Sequence, residues 1–188
     1  MTPAFPDFPE IDTARLRLRQ IVSSDIPVLF AIHHDADTMR WYGVEPLADL
    51  AQAAMVVEAF SGWFENGTGF RWGLERHEDH RLIGSCGLFR WNKSWQCCVI
   101  GYELARDCQG RGYMREAAEA ILEFGFTRMH LHRVQAEAHP RNAASIRLAQ
   151  RQGFQLEGVH REQGYWGGQF HDLNCYSLLE SEWRNRKT

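Results

Sequence analysis

The stretch best equipped for chemistry is Ile100-Gly101-Tyr102-Glu103-Leu104-Ala105-Arg106-Asp107-Cys108-Gln109-Gly110-Arg111-Gly112-Tyr113-Met114-Arg115-Glu116-Ala117. An apolar, strand-like run enters a turn interrupted by Gly110 and Gly112 and opens directly onto a helical pattern. Glycine admits backbone conformations and close approaches that a Cβ obstructs. The unbonded N–H groups of a first helical turn, at the positive end of the helix dipole, then make a site for a phosphate or pyrophosphate. Arg111 and Arg115 can add charge-assisted contacts to further phosphates. The same pattern also fits a plain strand-to-helix turn. No G-x-x-x-x-G-K-[ST] string is present, and Arg115 stands where a dinucleotide fingerprint needs its third glycine, which argues against both nucleotide motifs.

Other side chains are candidates of a different kind. Glu103 is a lone carboxylate within the apolar strand CVIGYEL. Burial there would raise its pKa toward the range of a general base; the alternative is a side chain pointing to solvent. Cys108 lies beside the glycine loop without a His or Asp in recognisable relation, so it reads as a packing residue. His130 and His132 alternate at the entry to a strand, and His33 and His34 are adjacent on a helix. Neither pair has the i, i+4 spacing or the Asp/Cys companions of a zinc site, and no metal is expected. Trp41-Tyr42-Gly43, Trp63-Phe64 and Tyr165-Trp166-Gly167-Gly168 are aromatic segments that either line a cleft or belong to the core.

A scaffold must position these groups, and hydrophobic spacing outlines one. Residues 1–12, with prolines at 3, 6 and 9, read as an irregular lead-in. Alternation over 15–21 predicts a strand with one wet face. Ser23-Ser24-Asp25-Ile26-Pro27 signals a helix start, running to about His33. A second helix is expected over 46–64, closed by Asn66-Gly67 and Gly69. Strands over 70–75, 82–89 and 97–104 have hairpin spacing and should be antiparallel neighbours. A helix over 112–129, a strand over 134–138, a helix over 142–152 and strands over 154–161 and 170–179 complete the order β-α-α-β-β-β-α-β-α-β-β. That is one mixed α/β domain over 13–188, with about seven strands and four helices.

Composition narrows the function. The 188 residues are 44% hydrophobic and 24% charged, as in a soluble globular protein rather than a disordered, collagen-like or coiled-coil chain. A net charge of −3 argues against a nucleic-acid binder, which would carry a concentrated basic surface. That net figure conceals a local imbalance. Residues 1–50 hold 4 Arg against 8 acids, whereas 106–151 hold 8 Arg against 5 acids. Five cysteines with no C-x-x-C pair, no secretion signal and no apolar run near the ~20 residues of a membrane span predict a cytoplasmic protein with reduced thiols.

The run 100–117, followed by His132-Arg133-Val134, His139-Pro140-Arg141-Asn142-Ala143-Ala144-Ser145-Ile146, Gln152-Gly153-Phe154 and Leu156-Glu157-Gly158, resembles the GNAT superfamily of acetyl-CoA-dependent N-acetyltransferases. The resemblance is strongest to the RimJ/RimL-like branch, which acetylates the N-termini of ribosomal proteins, and covers about Thr13 to Trp183. It implies a mostly antiparallel central sheet flanked by helices. The family pattern R/Q-x-x-G-x-G/A matches at Gly110 and Gly112, but its first position is Asp107. Because backbone amides make the contacts, the departure disturbs little.

The resemblance also implies roles. The amides of Gln109, Gly110, Arg111, Gly112, Tyr113 and Met114 would face the CoA pyrophosphate, with Arg115 nearby. The strand Tyr102, Glu103, Leu104 would bond the pantetheine arm where it splays from its neighbour. Asn142 would meet pantetheine amides, cap its helix, or do both. Many relatives carry a tyrosine that protonates the departing thiolate; here that position is Ala149, and Ser145 is the substitute. Glu103 and Glu162 are the candidate bases, although strict alignment puts Gly164 at the position of the family glutamate. The expected reaction is transfer of acetyl to a primary amine, foremost a protein or peptide N-terminus. A small amine such as an antibiotic, polyamine or metabolite is the alternative, and a non-catalytic acyl-CoA sensor is the alternative of another class. The acidic first fifty residues would suit a cationic acceptor. A monomer or homodimer is expected, without nucleic acid or membrane.

Overall fold

Residues 5–186 are described by a computed structural model. Chain order is β1 (Ile11–Asp12), β2 (Leu16–Gln20), α1 (Ile26–His34), α2 (Ala36–Met39), α3 (Leu50–Glu65), β3 (Phe70–Arg76), β4 (Leu82–Asn92), β5 (Cys97–Leu104), α4 (Tyr113–Thr127), β6 (Arg133–Ala138), α5 (Ala143–Arg151), β7 (Gln155–Trp166), β8 (Gln169–Leu179) and α6 (Glu180–Asn185). The eight strands form one sheet in the order β1-β2-β3-β4-β5-β6-β8-β7. Strands β3 and β4 are buried along nearly their whole paired length, because α4 packs on one face and α1 and α3 on the other. The edge strand β7 is exposed over most of its twelve residues.

The pairing of β5 with β6 makes the opening that matters. It is parallel, while the other strand pairs are antiparallel, and it extends only from Cys97↔Arg133 to Val99↔Gln135. Past that point the strands separate, and the 100–104 edge of β5 has no partner strand on that side. Ile100, Tyr102 and Ala136 line the gap, with Ala118 and Leu122 of α4 and Ala149 of α5 behind them.

The element order agrees with expectation, with three local differences. Residues 11–12 add a short strand against β2, and Phe5 and Phe8 of the lead-in pack edge-on against Phe70 at 5.1 and 6.1 Å. Prolines punctuate this segment, but its aromatics anchor it; residues 1–4 lie outside the described residues. Helix α3 starts at Leu50, since the Asp49 side chain accepts the Gln52 N–H and fixes the N-terminus four residues after Pro46. The short helices α2 and α6 escape periodicity, being four and six residues long.

Candidate active site

The glycine loop turns directly into α4. Gly110 and Gly112 both take left-handed backbone conformations, φ +75° and +81°, and Gly112 is the N-cap of α4. The first helical bond is from Glu116 N–H to Gly112 O at 3.1 Å, so the amides of Tyr113, Met114 and Arg115 come before any intrahelical acceptor. Arg15 braces the loop from the start of the sheet: its Nη1 donates to Arg111 O at 3.0 Å and its Nε to Glu116 at 2.7 Å. Asp107 pairs with Arg81 at 2.6 Å, leaving the amides untouched. Arg111 and Arg115 are exposed and have no carboxylate partner among the described residues. Cys108 is fully buried, and burial raises its thiol pKa, which suits packing and not nucleophilic attack.

Across the splay, Tyr102 of β5 meets α5. Its hydroxyl lies 2.7 Å from Ser145 Oγ, and burial pushes the phenol up to about 12, so it keeps its proton at neutral pH. Asn142 caps α5 by accepting the Ser145 N–H at 3.1 Å, which leaves its side-chain N–H groups free for another partner. Ala149 is buried in the lining of the gap. Gln109 folds back so that its Nε2 donates to Leu104 O at 2.9 Å, occupying the last carbonyl of the β5 edge.

Glu103 points to the opposite face from Tyr102, and here the expectation is corrected. The residue is buried, 5% exposed, but inside a charged network with Arg71, itself 2% exposed. Arg71 pairs with Glu103, donates to Ser85 Oγ at 2.6 Å, to Gly101 O at 2.8 Å and to Tyr42 OH at 2.8 Å. Ser85 donates to the Glu103 carboxylate, and His33 Nε2 comes within 3.3 Å of it, off the line of a hydrogen bond. Burial by itself would raise the Glu103 pKa. The adjacent guanidinium and the His33 and Ser85 contacts outweigh burial and hold it at about 2. A carboxylate whose charged form is favoured in this way anchors Arg71 and β5. Arg71, Ser85, Tyr42 and His33 come from four separate elements or loops, so no local pattern announced them.

An aromatic cluster lies just past the end of β6, the strand that borders the gap. His139, just past β6, stacks on Trp41 at 4.1 Å and lies 5.2 Å from His171, which stacks on Trp166 at 3.8 Å. Burial, then the charges of His171 and Arg141, lower the His139 pKa. Two of the expected aromatic segments therefore meet here. The third does not: Trp63 stacks on Phe89 and packs against one hydrophobic cluster, while Phe64 packs on Phe8 and Phe70 in the other. The acids of the first fifty residues are largely engaged. Asp25 pairs with Arg19, Asp35 and Asp37 with Arg106, and Glu10 with Arg17, while Glu45 accepts the Gly167 N–H and Asp49 caps α3. Glu162 is exposed on β7, separated from β5 by both β6 and β8, with φ +53° and its N–H bonded to Asp172. The structure does not bring it together with Glu103 or Ser145. His130, His132 and His34 are exposed, and His33 is buried.

Comparison with known proteins agrees with this arrangement. A family model described as an acetyltransferase (GNAT) domain matches residues 15–155. YoaA of Bacillus subtilis, described as an uncharacterized N-acetyltransferase, is 34% identical over 173 residues, 92% of this chain and 98% of its own. The ribosomal protein uS5 alanine N-acetyltransferase of Escherichia coli is 29% identical over 120 residues, 63% of this chain and 62% of its own. The structure of spermidine N-acetyltransferase from Vibrio cholerae, in complex with CoA and spermine, has a TM-score of 0.81 at 21% identity, covering 92% of this chain and 100% of that one. No helix among the described residues is long and apolar enough to cross a membrane. With its glycine-capped helix, splayed β5 edge and these relatives, the chain belongs to the GNAT family of acetyl-CoA-dependent N-acetyltransferases.

Proposed function

We propose that the acceptor is the α-amine of a protein or peptide N-terminus. The observation that carries this reading is the charge around the aromatic cluster past β6, the strand that borders the gap. The acids available to hold a polycation are engaged in ion pairs and caps, whereas Arg40 and Arg141 flank the Trp41 ring at 5.0 and 5.6 Å and have no carboxylate partner among the described residues. A polyamine or aminoglycoside would bring several positive charges against them. A peptide N-terminus brings one, along with backbone groups that an open strand edge can bond. The relative that acts on ribosomal protein uS5 supports the same reading.

Acetyl-CoA supplies the acetyl group as a thioester, which a neutral amine attacks directly: the C–N bond forms, the C–S bond breaks, nitrogen loses a proton and sulfur gains one. In this reading the amides of Gly110 to Arg115 hold the pyrophosphate, and Arg111 and Arg115 reach further phosphate oxygens. The β5 edge at Tyr102 to Leu104 and the Asn142 amide bond the pantetheine arm. A β5 N–H polarises the thioester carbonyl. The 2.7 Å contact of the Tyr102 and Ser145 hydroxyls lets either oxygen donate; with Tyr102 as donor, the serine O–H is free to protonate the departing sulfur. An α-amine with a free pKa near ~8 is partly neutral already, so placement carries more of the rate than a strong base does.

A thiol-release assay with acetyl-CoA tests the proposal against peptides with free N-termini, the same peptides N-terminally blocked, spermidine and an aminoglycoside. Free peptides should give the highest kcat/KM and blocked ones none. Faster turnover of either polycation would overturn the acceptor assignment, and CoA binding without turnover on any amine would replace the enzyme with a sensor.

A further inference from the structure

Away from the acetyl-transfer gap, one cluster combines oxygen, nitrogen and sulfur donors on three consecutive strands. Glu137 of β6 and Cys175 of β8 are direct cross-strand partners, and His160 of β7 pairs with Leu173, two residues before Cys175. Their donor atoms all lie within 4.8 Å of one another, with His160 Nδ1 3.8 Å from a Glu137 oxygen.

A backbone irregularity creates this meeting. On β7, Glu157 bonds Arg133 of β6 and Ser177 of β8, which marks the sheet face it occupies. His160 follows three residues later, and strict alternation would send it to the other face. The register shift between Leu156 and Gly158 places one extra residue in β7 and restores His160 to the face of Glu137 and Cys175. Bulges re-aim side chains in this way.

We infer that Glu137, His160 and Cys175 form a binding site for a zinc-class divalent ion. Zinc bonds of about 2.0–2.3 Å to oxygen, nitrogen and sulfur put tetrahedral ligands roughly 3.3–3.8 Å apart. Closing the cluster to that spacing takes only side-chain rotation, because the strand pairing already sets the three backbones. His160, whose side chain is 55% exposed, has room to turn. A thiolate with an imidazole selects zinc over magnesium or calcium, which prefer all-oxygen sites. Three protein ligands on a solvent-facing surface leave the fourth position to water. The ion would tie the edge strand β7 to β6, the strand that borders the acetyl-transfer gap.

Titration of the reduced full-length protein with ZnCl2 by calorimetry, and with CoCl2 by absorption, tests the site. We expect one saturable equivalent, a thiolate-to-cobalt charge-transfer band, and a higher Tm with zinc. Cys175→Ser and His160→Ala should each weaken binding about hundredfold or more, beyond what loss of an outer-shell group does, and Cys175→Ser should abolish the band. Cys97→Ser, which alters another partly exposed thiol, should change neither. Circular dichroism and CoA binding establish that the variants fold. Absence of a saturable equivalent in the unaltered protein, or binding that survives both Cys175→Ser and His160→Ala, would overturn the site.

Discussion

The two ends of the proposed acetyl-transfer site are made by different means. At the phosphate end, one contiguous stretch from Arg106 to Glu116 supplies the turn, two left-handed glycines and the free amides. Side-chain identity matters little there: the family pattern has Arg or Gln where this chain has Asp107, and its carboxylate simply pairs with Arg81. At the acceptor end, Trp41, His139 and the hairpin pair Trp166 and His171 come from three separated parts of the chain, and Arg40 and Arg141 lie over the Trp41 ring. Backbone recognition is local and tolerates substitution. A side-chain pocket is assembled by the fold, so its chemistry follows from partners and not from residue type.

The largest expected effect comes from Glu103→Gln, which leaves Arg71 as a buried unpaired charge. It should cost about 3–5 kcal/mol of stability, read by denaturant unfolding. The Glu103 carboxyl is held at about 2 in the fold against an ordinary 4.5. Its contribution is therefore present above about 4.5 and is lost as pH falls toward 2, and the variant should show a flatter acid limb. A variant as stable as the parent, with a shifted pH–rate profile, would make Glu103 the base and erase the contrast between the two ends.

Ser145→Ala should lower kcat about hundredfold, the scale of a lost general acid, while CoA affinity changes little; a fall in affinity with kcat intact would move Ser145 into the binding site. Gly112→Val forces a β-branched residue into φ +81° and should weaken CoA binding about tenfold, measured by calorimetry. Unchanged affinity would contradict the backbone account of the phosphate end. The smallest effect belongs to His139. Its folded pKa lies below the ordinary 6.5 through burial and the nearby His171 and Arg141 charges. Stability should be level above 6.5 and decline as pH drops below it, because the unfolded chain takes up the proton first. His139→Gln should remove that part of the slope in Tm against pH, and an identical slope would place the titration elsewhere.

Strand and helix order was legible because hydrophobic spacing is a local property: the helix over 112–129 and the hairpin strands over 70–104 need only their own residues. The lead-in was less so, since the packing of Phe5 and Phe8 depends on Phe70, far along the chain. Within the candidate site, the glycine loop and the Asn142 cap were readable from adjacent residues. The contact between Tyr102 and Ser145 was not, because it spans 43 positions. The acidity of the first fifty residues is a count of charges and says nothing of their partners: Arg106 takes both Asp35 and Asp37.

The amino-acid sequence alone determined the family, the glycine turn that caps α4 and the order of elements, since each rests on interactions among near neighbours or on backbone freedom at particular glycines. Only the tertiary structure decided the state of Glu103, the composition of the acceptor mouth and the meeting of Glu137, His160 and Cys175. A pKa, a pocket and a ligand set all depend on which distant groups come within a few ångströms, and in this protein strand pairing and one extra residue in β7 decide that.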